Sequence, residues 1–310
     1  MESMSDVLSG FASVALIIFT GWMLGRSGIL GTSGGKVLNQ VVFWVAMPCL
    51  LISTLADGDS THILGKPFLV AATSALLTGI LYVLLARPLL GQRGPELVSG
   101  AMASSYNNVA NLGIPIVVAV VGDPTVAVPA LLFQIAGYAP LCLSIFDTMT
   151  RSAGSHWWTP LKNPMTIAAV IGITLSLLPW QPPHVIMDPI HQIGYAAIPL
   201  ALIVFGISMY GAPMLRRGIS PRRAVALASV LKLVVHPALA FGAAVLLGLE
   251  DQALLAAVVV AALPTAQNVF IFSSRYARHV GTGLVQARDC ALVTSMACVP
   301  VILLITLALR

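Results

Sequence analysis

The side chains best placed to do chemistry in this 310-residue chain are amides set beside prolines. The segment SSYNNVANLGIPIV, which starts at Ser104, carries Asn107, Asn108 and Asn111 just ahead of Gly113 and Pro115. A second segment, AALPTAQNVFIF from Ala261, puts Pro264 and Thr265 beside Gln267 and Asn268. Both segments interrupt stretches that are otherwise apolar. Proline removes a backbone donor and clashes with the preceding turn, and glycine lowers the cost of leaving helical geometry. Backbone unwound at membrane depth survives only where protein buries it or where it lines a wet cavity. The amides can satisfy the freed backbone groups or offer donors to a ligand. Two interrupted helices that meet also aim positive helix ends at the meeting point, which favours an anion there. A single asparagine could equally be a staple between helices. Two such clusters at related positions point to a substrate site.

Ionisable side chains are scarce at depth. Lys232 lies about ten residues into an apolar stretch, and His236 follows one turn later. A lysine there can raise the local positive potential and attract a carboxylate; otherwise it snorkels to an interface or bonds helix-end carbonyls. His236 can titrate as a functional group or pack as a hydrogen-bonded ring. Acidic residues avoid the stretch centres: Glu96, Asp147 and Asp289 fall near ends, and Asp57, Asp59, Asp123, Asp188, Glu250 and Asp251 fall in loops. Cation antiporters work through buried carboxylates, so this distribution favours an anionic or neutral substrate. The four cysteines sit inside apolar runs without metal-ligand spacing, and neither a phosphate-binding loop nor a metalloprotease motif occurs. Neither a metal nor a cofactor is expected, and no catalytic residue is assigned.

The elements that must position these residues follow from composition. Hydrophobic residues make up 58% of the chain and charged ones 9%, with a mean hydropathy of +0.93. Soluble domains carry about 25% charged residues. That excludes a cytosolic enzyme, a nucleic-acid binder and a disordered regulator. A helix needs about 20 apolar residues to cross the hydrocarbon. Ten stretches qualify: 7–25, 36–56, 67–90, 97–121, 127–149, 163–180, 191–214, 222–248, 252–275 and 285–309. The start, MESMSD, lacks the basic region of a cleaved signal peptide, so the first span should remain. Of sixteen Lys and Arg residues, thirteen fall in the loops of one side. Lys66 and Arg310 fall on the other, and Lys232 lies within a span. The positive-inside rule makes the crowded side cytoplasmic and places both termini outside, in a multi-pass protein of the cell (inner) membrane.

Ten spans divide into two halves of five, 1–150 and 151–310, and an odd number inverts the second half relative to the first. Pro48 and Pro199 are 151 residues apart, and Pro115 and Pro264 are 149 apart. The expected fold is an all-α integral membrane protein of two inverted five-helix repeats, with broken spans 4 and 9 crossing.

At these residues the chain resembles the auxin efflux carrier family, which includes plant PIN-FORMED exporters and bacterial malonate and malate permeases. Asn108, Gly113 and Pro115 match its span 4 pattern; Ala262-Leu263-Pro264 with Phe270, Phe272 and Tyr276 match span 9. Asn39 and Pro48, Gln134 and Asp147, and Lys232 and Pro237 reproduce spacings in spans 2, 5 and 8. The resemblance implies a fold like that of sodium–proton antiporters and bile-acid transporters. Spans 1, 2, 6 and 7 would form a scaffold, spans 3–5 and 8–10 a transport domain, and the scaffold would carry a homodimer. It also implies that Asn108 contacts a substrate carboxylate, with Gln134 beside it. Tyr138 lies one position before Ala139, where the plant carriers have a tyrosine, and the long cytoplasmic loop of many plant members is absent. The bacterial organic-acid branch fits better.

The substrate-site candidates are therefore Asn107, Asn108, Asn111, Gly113, Pro115, Gln134, Tyr138, Pro264, Thr265, Gln267 and Asn268, with Lys232 and His236 as electrostatic or coupling groups. The expected function is a secondary-active or facilitative carrier of a small organic anion such as malonate or malate, working by elevator-type alternating access. Its partners would be that anion, membrane lipids and a second copy of the chain, without nucleic acid. A receptor that binds a carboxylate without moving it is the alternative. A membrane enzyme would need a nucleophile–base pair or metal ligands, and the sequence offers neither.

Overall fold

A computed structural model describes residues 4–31, 33–57, 65–150, 164–178, 182–210, 215–276 and 281–309. The described residues are almost entirely helical, as the apolar stretches require. In chain order the helices are α1 Met4–Ser27, α2 34–57, α3 Lys66–Leu90, α4 Pro95–Ser105, α5 109–121 and α6 124–150. They continue with α7 Pro164–Leu177, α8 His184–Met209, α9 Arg222–Leu246, α10 Asp251–Ala262, α11 Gln267–Arg275 and α12 Gly283–Leu309. Among the described residues, five helical segments are by themselves long and apolar enough to cross a membrane: Gly34–Ala56, α3, His184–Val204, α9 and α12. The expected spans 4 and 9 are each split, into α4 and α5 and into α10 and α11.

One boundary needs correction. The stretch expected at 191–214 begins at His184, and residues 211–214 lie outside the described ones. The extension places Asp188, expected in a loop, in the second turn of α8, where an exposed His184–Asp188 pair at 3.7 Å spans one turn. A helix projecting past the hydrocarbon keeps its backbone bonded while its polar end stays wet, so hydropathy alone underestimates its length.

Prolines shape the helices in a regular way. Four π turns occur among the described residues: Val42–Ala46, Val109–Gly113, Phe133–Tyr138 and Leu231–Val235. Each ends two residues before a proline, namely Pro48, Pro115, Pro140 and Pro237. The proline ring collides with the carbonyl four residues back, and widening the preceding turn relieves that collision without breaking the helix. At the end of α5, Gly122 takes a φ of 84°, and Asp123 then caps the next turn by accepting from the Thr125 N–H at 2.8 Å.

The chain packs into two compact units. One draws on the described residues of Met1–Leu64, Ala110–Val128 and Leu161–Ala212. There α1 packs on α8, α2 on α7 and α8, and α5 on α1 and α8. The α1–α8 crossing is close because glycines face carbonyls: a Cβ on Gly21 would meet the Ile203 oxygen, and one on Gly206 would meet the Ile18 oxygen. Small residues let membrane helices approach in this way.

The other unit draws on the described residues of Gly65–Val109, Pro129–Pro160 and Pro213–Arg310. Its core joins Tyr82, Met102, Phe146, Leu231, Val269 and Tyr276. Several polar side chains inside it pair with one another. Tyr82, Gln92 and Gln286 form a closed ring of three hydrogen bonds at 2.6–2.9 Å, and the Ser99 and Ser273 hydroxyls meet at 2.7 Å.

Candidate functional site

The two interrupted spans meet in the second unit. Tyr106 leaves α4 with extended backbone, and Leu263 does the same at the end of α10. The freed segments pair as a short antiparallel bridge between Asn107 and Thr265. The Asn108 N–H donates to the Pro264 carbonyl at 2.8 Å, and the Ala266 N–H donates to the Tyr106 carbonyl at 3.0 Å. Backbone that the prolines and asparagines prevent from being helical thus finds partners in the other broken segment.

What the segments cannot give each other, side chains supply. Gln134, on α6, donates its amide to the Asn107 carbonyl at 3.0 Å and accepts from the Asn107 N–H at 2.6 Å. It acts as a third strand one residue long. The Thr265 N–H donates to the Thr294 hydroxyl of α12 at 2.9 Å, and the Thr265 hydroxyl donates to the Ala103 carbonyl at 2.5 Å. Ser104 and Ser105 both donate to the Ala101 carbonyl. At the end of α10, Lys232 donates to the Ala261 carbonyl at 2.6 Å. Its Nζ also lies 3.1 Å from Nδ1 of His236, and both side chains are fully buried. Lys232 therefore does not snorkel; it bonds a helix-end carbonyl. The π turn of α9 carries Lys232, and Pro237 two residues beyond it accounts for that turn.

The residue types left over are informative. Among the described residues, Asn107 Oδ1 and His236 Nε2 are buried without a hydrogen-bond partner, and the Asn108 amide makes no side-chain hydrogen bond. Gln267 and Asn268, half-buried, open the first turn of α11, whose N–H groups give that end a partial positive charge. Buried polar atoms are normally paired, so unpaired ones at a helix break are candidates for contact with a ligand.

The structure brings together Asn107, Asn108, Gln134, Pro264, Thr265, Gln267 and Asn268 within one unit. Gly113 and Pro115 are buried in the other unit, since the chain passes between units after Val109. Asn111 lies on the π turn there, and its side chain falls outside the described residues. Tyr138 is buried: its ring stacks on Tyr106 at 5.9 Å and on Phe133 at 5.7 Å, and its hydroxyl meets the Ser105 hydroxyl at 2.6 Å. Both polar atoms of Gln134 are committed to the Asn107 backbone. Thr294 and Ser105 escaped sequence reasoning, because hydroxyls in apolar helices usually bond their own helix, as Thr294 also does to Cys290.

A family model described as membrane transport protein matches residues 6–151 and 146–306. An uncharacterized transporter of Methanocaldococcus jannaschii is 25% identical over 85% of this chain and 87% of its own length. A protein of Rhizobium meliloti named "Putative malonate transporter" is 26% identical over 84% of this chain and 83% of its own. Auxin efflux carrier component 8 of Arabidopsis thaliana is 28% identical over 48% of this chain and 43% of its own.

Proposed function

Because this chain belongs to the membrane transport protein family, that of the auxin efflux carriers, we propose that it is a carrier for a small organic anion of the malonate or malate type. It is a multi-pass membrane transporter and not an enzyme. The observation that carries the substrate reading is the state of the crossing. Gln134, Thr265, Thr294 and Lys232 satisfy its backbone, which leaves the Asn108 amide and Asn107 Oδ1 for something else. The Asn108 amide can donate to a carboxylate oxygen. Asn107 Oδ1 can accept from a hydroxyl or a protonated carboxyl group. The positive end of α11 adds sign selectivity without a fixed charge. Gln134, Thr265 and Tyr138 act in this reading as positioning residues, and Lys232 with His236 sets the local potential.

In the wider proposal, ten spans form two inverted repeats with both termini outside the cell membrane. The unit holding the crossing serves as transport domain and shifts against the other, a scaffold that also carries a homodimer. Substrate alternates between the two faces by that shift, either coupled to an ion gradient or facilitative. The partition into two compact units, each built from both halves of the chain, supports this reading.

The test is uptake of labelled malonate and malate into proteoliposomes, with and without proton and sodium gradients. Wild-type protein is expected to give saturable flux, and Asn108→Ala to lose most of it while keeping wild-type expression and dimerisation. Normal transport by Asn108→Ala would remove that residue from the site. Saturable binding in detergent without flux would replace the carrier by a receptor.

A further inference from the structure

A strongly basic corner of the second unit is not used by the transport reading. Between Arg216 and Arg223 the chain carries four arginines in eight residues, all exposed. Among the described residues none of the four forms an ion pair with a carboxylate. Beside them lies a cleft of about 390 Å³. Arg222, Arg223 and Ser220 line one part of it, and Leu89 and Leu90, the last residues of α3, line another. Leu89 is 66% exposed, and Ile219, between the two arginine pairs, is 49% exposed. Glu96 also lines the cleft and accepts a hydrogen bond from the Thr282 hydroxyl; its one negative charge against Arg222 and Arg223 leaves the lining net positive. The Ser220 hydroxyl has no partner among the described residues.

Arg222 is held in place. Its Nε and Nη2 donate to the Leu215 carbonyl at 3.1 and 2.7 Å, which leaves Nη1 uncommitted. Leu215 adopts a φ of 50°, which a side chain of its kind rarely takes, and its N–H donates to the buried Asp289 at 3.2 Å. A strained residue clamped from both sides therefore fixes one guanidinium at the mouth of the cleft. Fixed guanidiniums suit phosphate, because the rigid fork of donors matches its oxygens.

The geometry points to a binding site for the headgroup of an anionic phospholipid, with the phosphodiester against Arg222 and Arg223 and an acyl chain along Leu89. Two features select a lipid over free phosphate. The cleft is amphipathic, with exposed leucine facing guanidinium, and it lies where α3 ends and α9 begins, at the boundary of apolar helices. A basic cluster immediately beside a membrane helix attracts anionic lipid, and each arginine near the surface adds about a fivefold gain in affinity. The inference rests on membrane insertion and not on the substrate reading, so a wrong substrate would leave it standing.

The test uses the full purified chain in mild detergent, with binding read by native mass spectrometry and by thermal shift. Phosphatidylglycerol is expected to bind saturably, and phosphatidylcholine of the same acyl chains to bind at least tenfold more weakly. Arg222→Gln with Arg223→Gln should weaken phosphatidylglycerol roughly thirtyfold. Arg26→Gln with Lys36→Gln, an equal loss of charge on the other unit, should leave its affinity unchanged. Because Arg222 also supports Leu215, Arg223→Gln and Leu89→Glu are tested separately, and each should weaken binding at least fivefold with an unshifted lipid-free melting midpoint. Equal binding of the two lipids, or equal loss in the Arg26/Lys36 control, would overturn the site. Binding of glycerol 1-phosphate as tight as that of the lipid would overturn the lipid in favour of a soluble phosphate.

Discussion

The support that Gln134 gives to Asn107 yields a sharp quantitative expectation. Both of its hydrogen bonds, at 2.6 and 3.0 Å, are to a buried backbone, and Gln134 itself is 2% exposed. Gln134→Leu keeps the bulk and removes both partners. A buried donor or acceptor left unpaired costs about 1–3 kcal/mol, so the pair costs about 2–6 kcal/mol. At the lower end, the equilibrium between the extended geometry of Asn107 and Asn108 and its alternatives shifts about thirtyfold against the extended form, and apparent substrate affinity falls by the same factor where those alternatives dominate. The assay is the concentration dependence of malonate uptake in proteoliposomes, read beside thermal unfolding of the detergent-solubilised protein. The expected result for Gln134→Leu is a half-saturation concentration raised about thirtyfold or more, together with a lowered melting temperature. Wild-type half-saturation in Gln134→Leu would refute the reasoning. An unchanged melting temperature with no flux at any concentration would instead give Gln134 a direct contact with the substrate.

Three further outcomes are expected. Lys232→Met orphans the buried Ala261 carbonyl and should cost about 1–3 kcal/mol in chemical denaturation, with loss of uptake. Gly206→Ala drives a methyl group into the Ile18 carbonyl and should destabilise by about 1–3 kcal/mol, whereas Gly242→Ala, in an open helical position, should be neutral or stabilise by up to about 1 kcal/mol; melting temperatures of the pair decide. Tyr138→Phe removes only the hydroxyl that meets Ser105, so it should cost about 0.5–1.5 kcal/mol while half-saturation for malonate stays within about twofold.

The sequence by itself determined the membrane class, the stretches that become helices, and the two places where helices break. These are local properties. Hydropathy acts on each stretch separately, and a proline disturbs the turn immediately before it; π turns precede Pro48, Pro115, Pro140 and Pro237, whereas Pro88, Pro189, Pro199 and Pro300 sit inside α-helices without one, so proline positions mark where a turn can widen and not where it does. The residue types of the crossing were equally visible, with Asn107, Asn108, Pro264 and Thr265 all marked by their neighbours. Only the tertiary structure decided which polar groups are consumed in holding the crossing and which are left for a ligand. Gln134 serves a backbone 27 residues away, Lys232 and Thr294 each serve one 29 residues away, and Thr265 serves one 162 residues away. No spacing rule carries such pairings, because they form only when separate helices are packed together. The physical reason is the cost of leaving a buried polar atom unpaired. That cost draws most nearby polar side chains into pairing, so the function of an amide depends on what its distant neighbours have already satisfied.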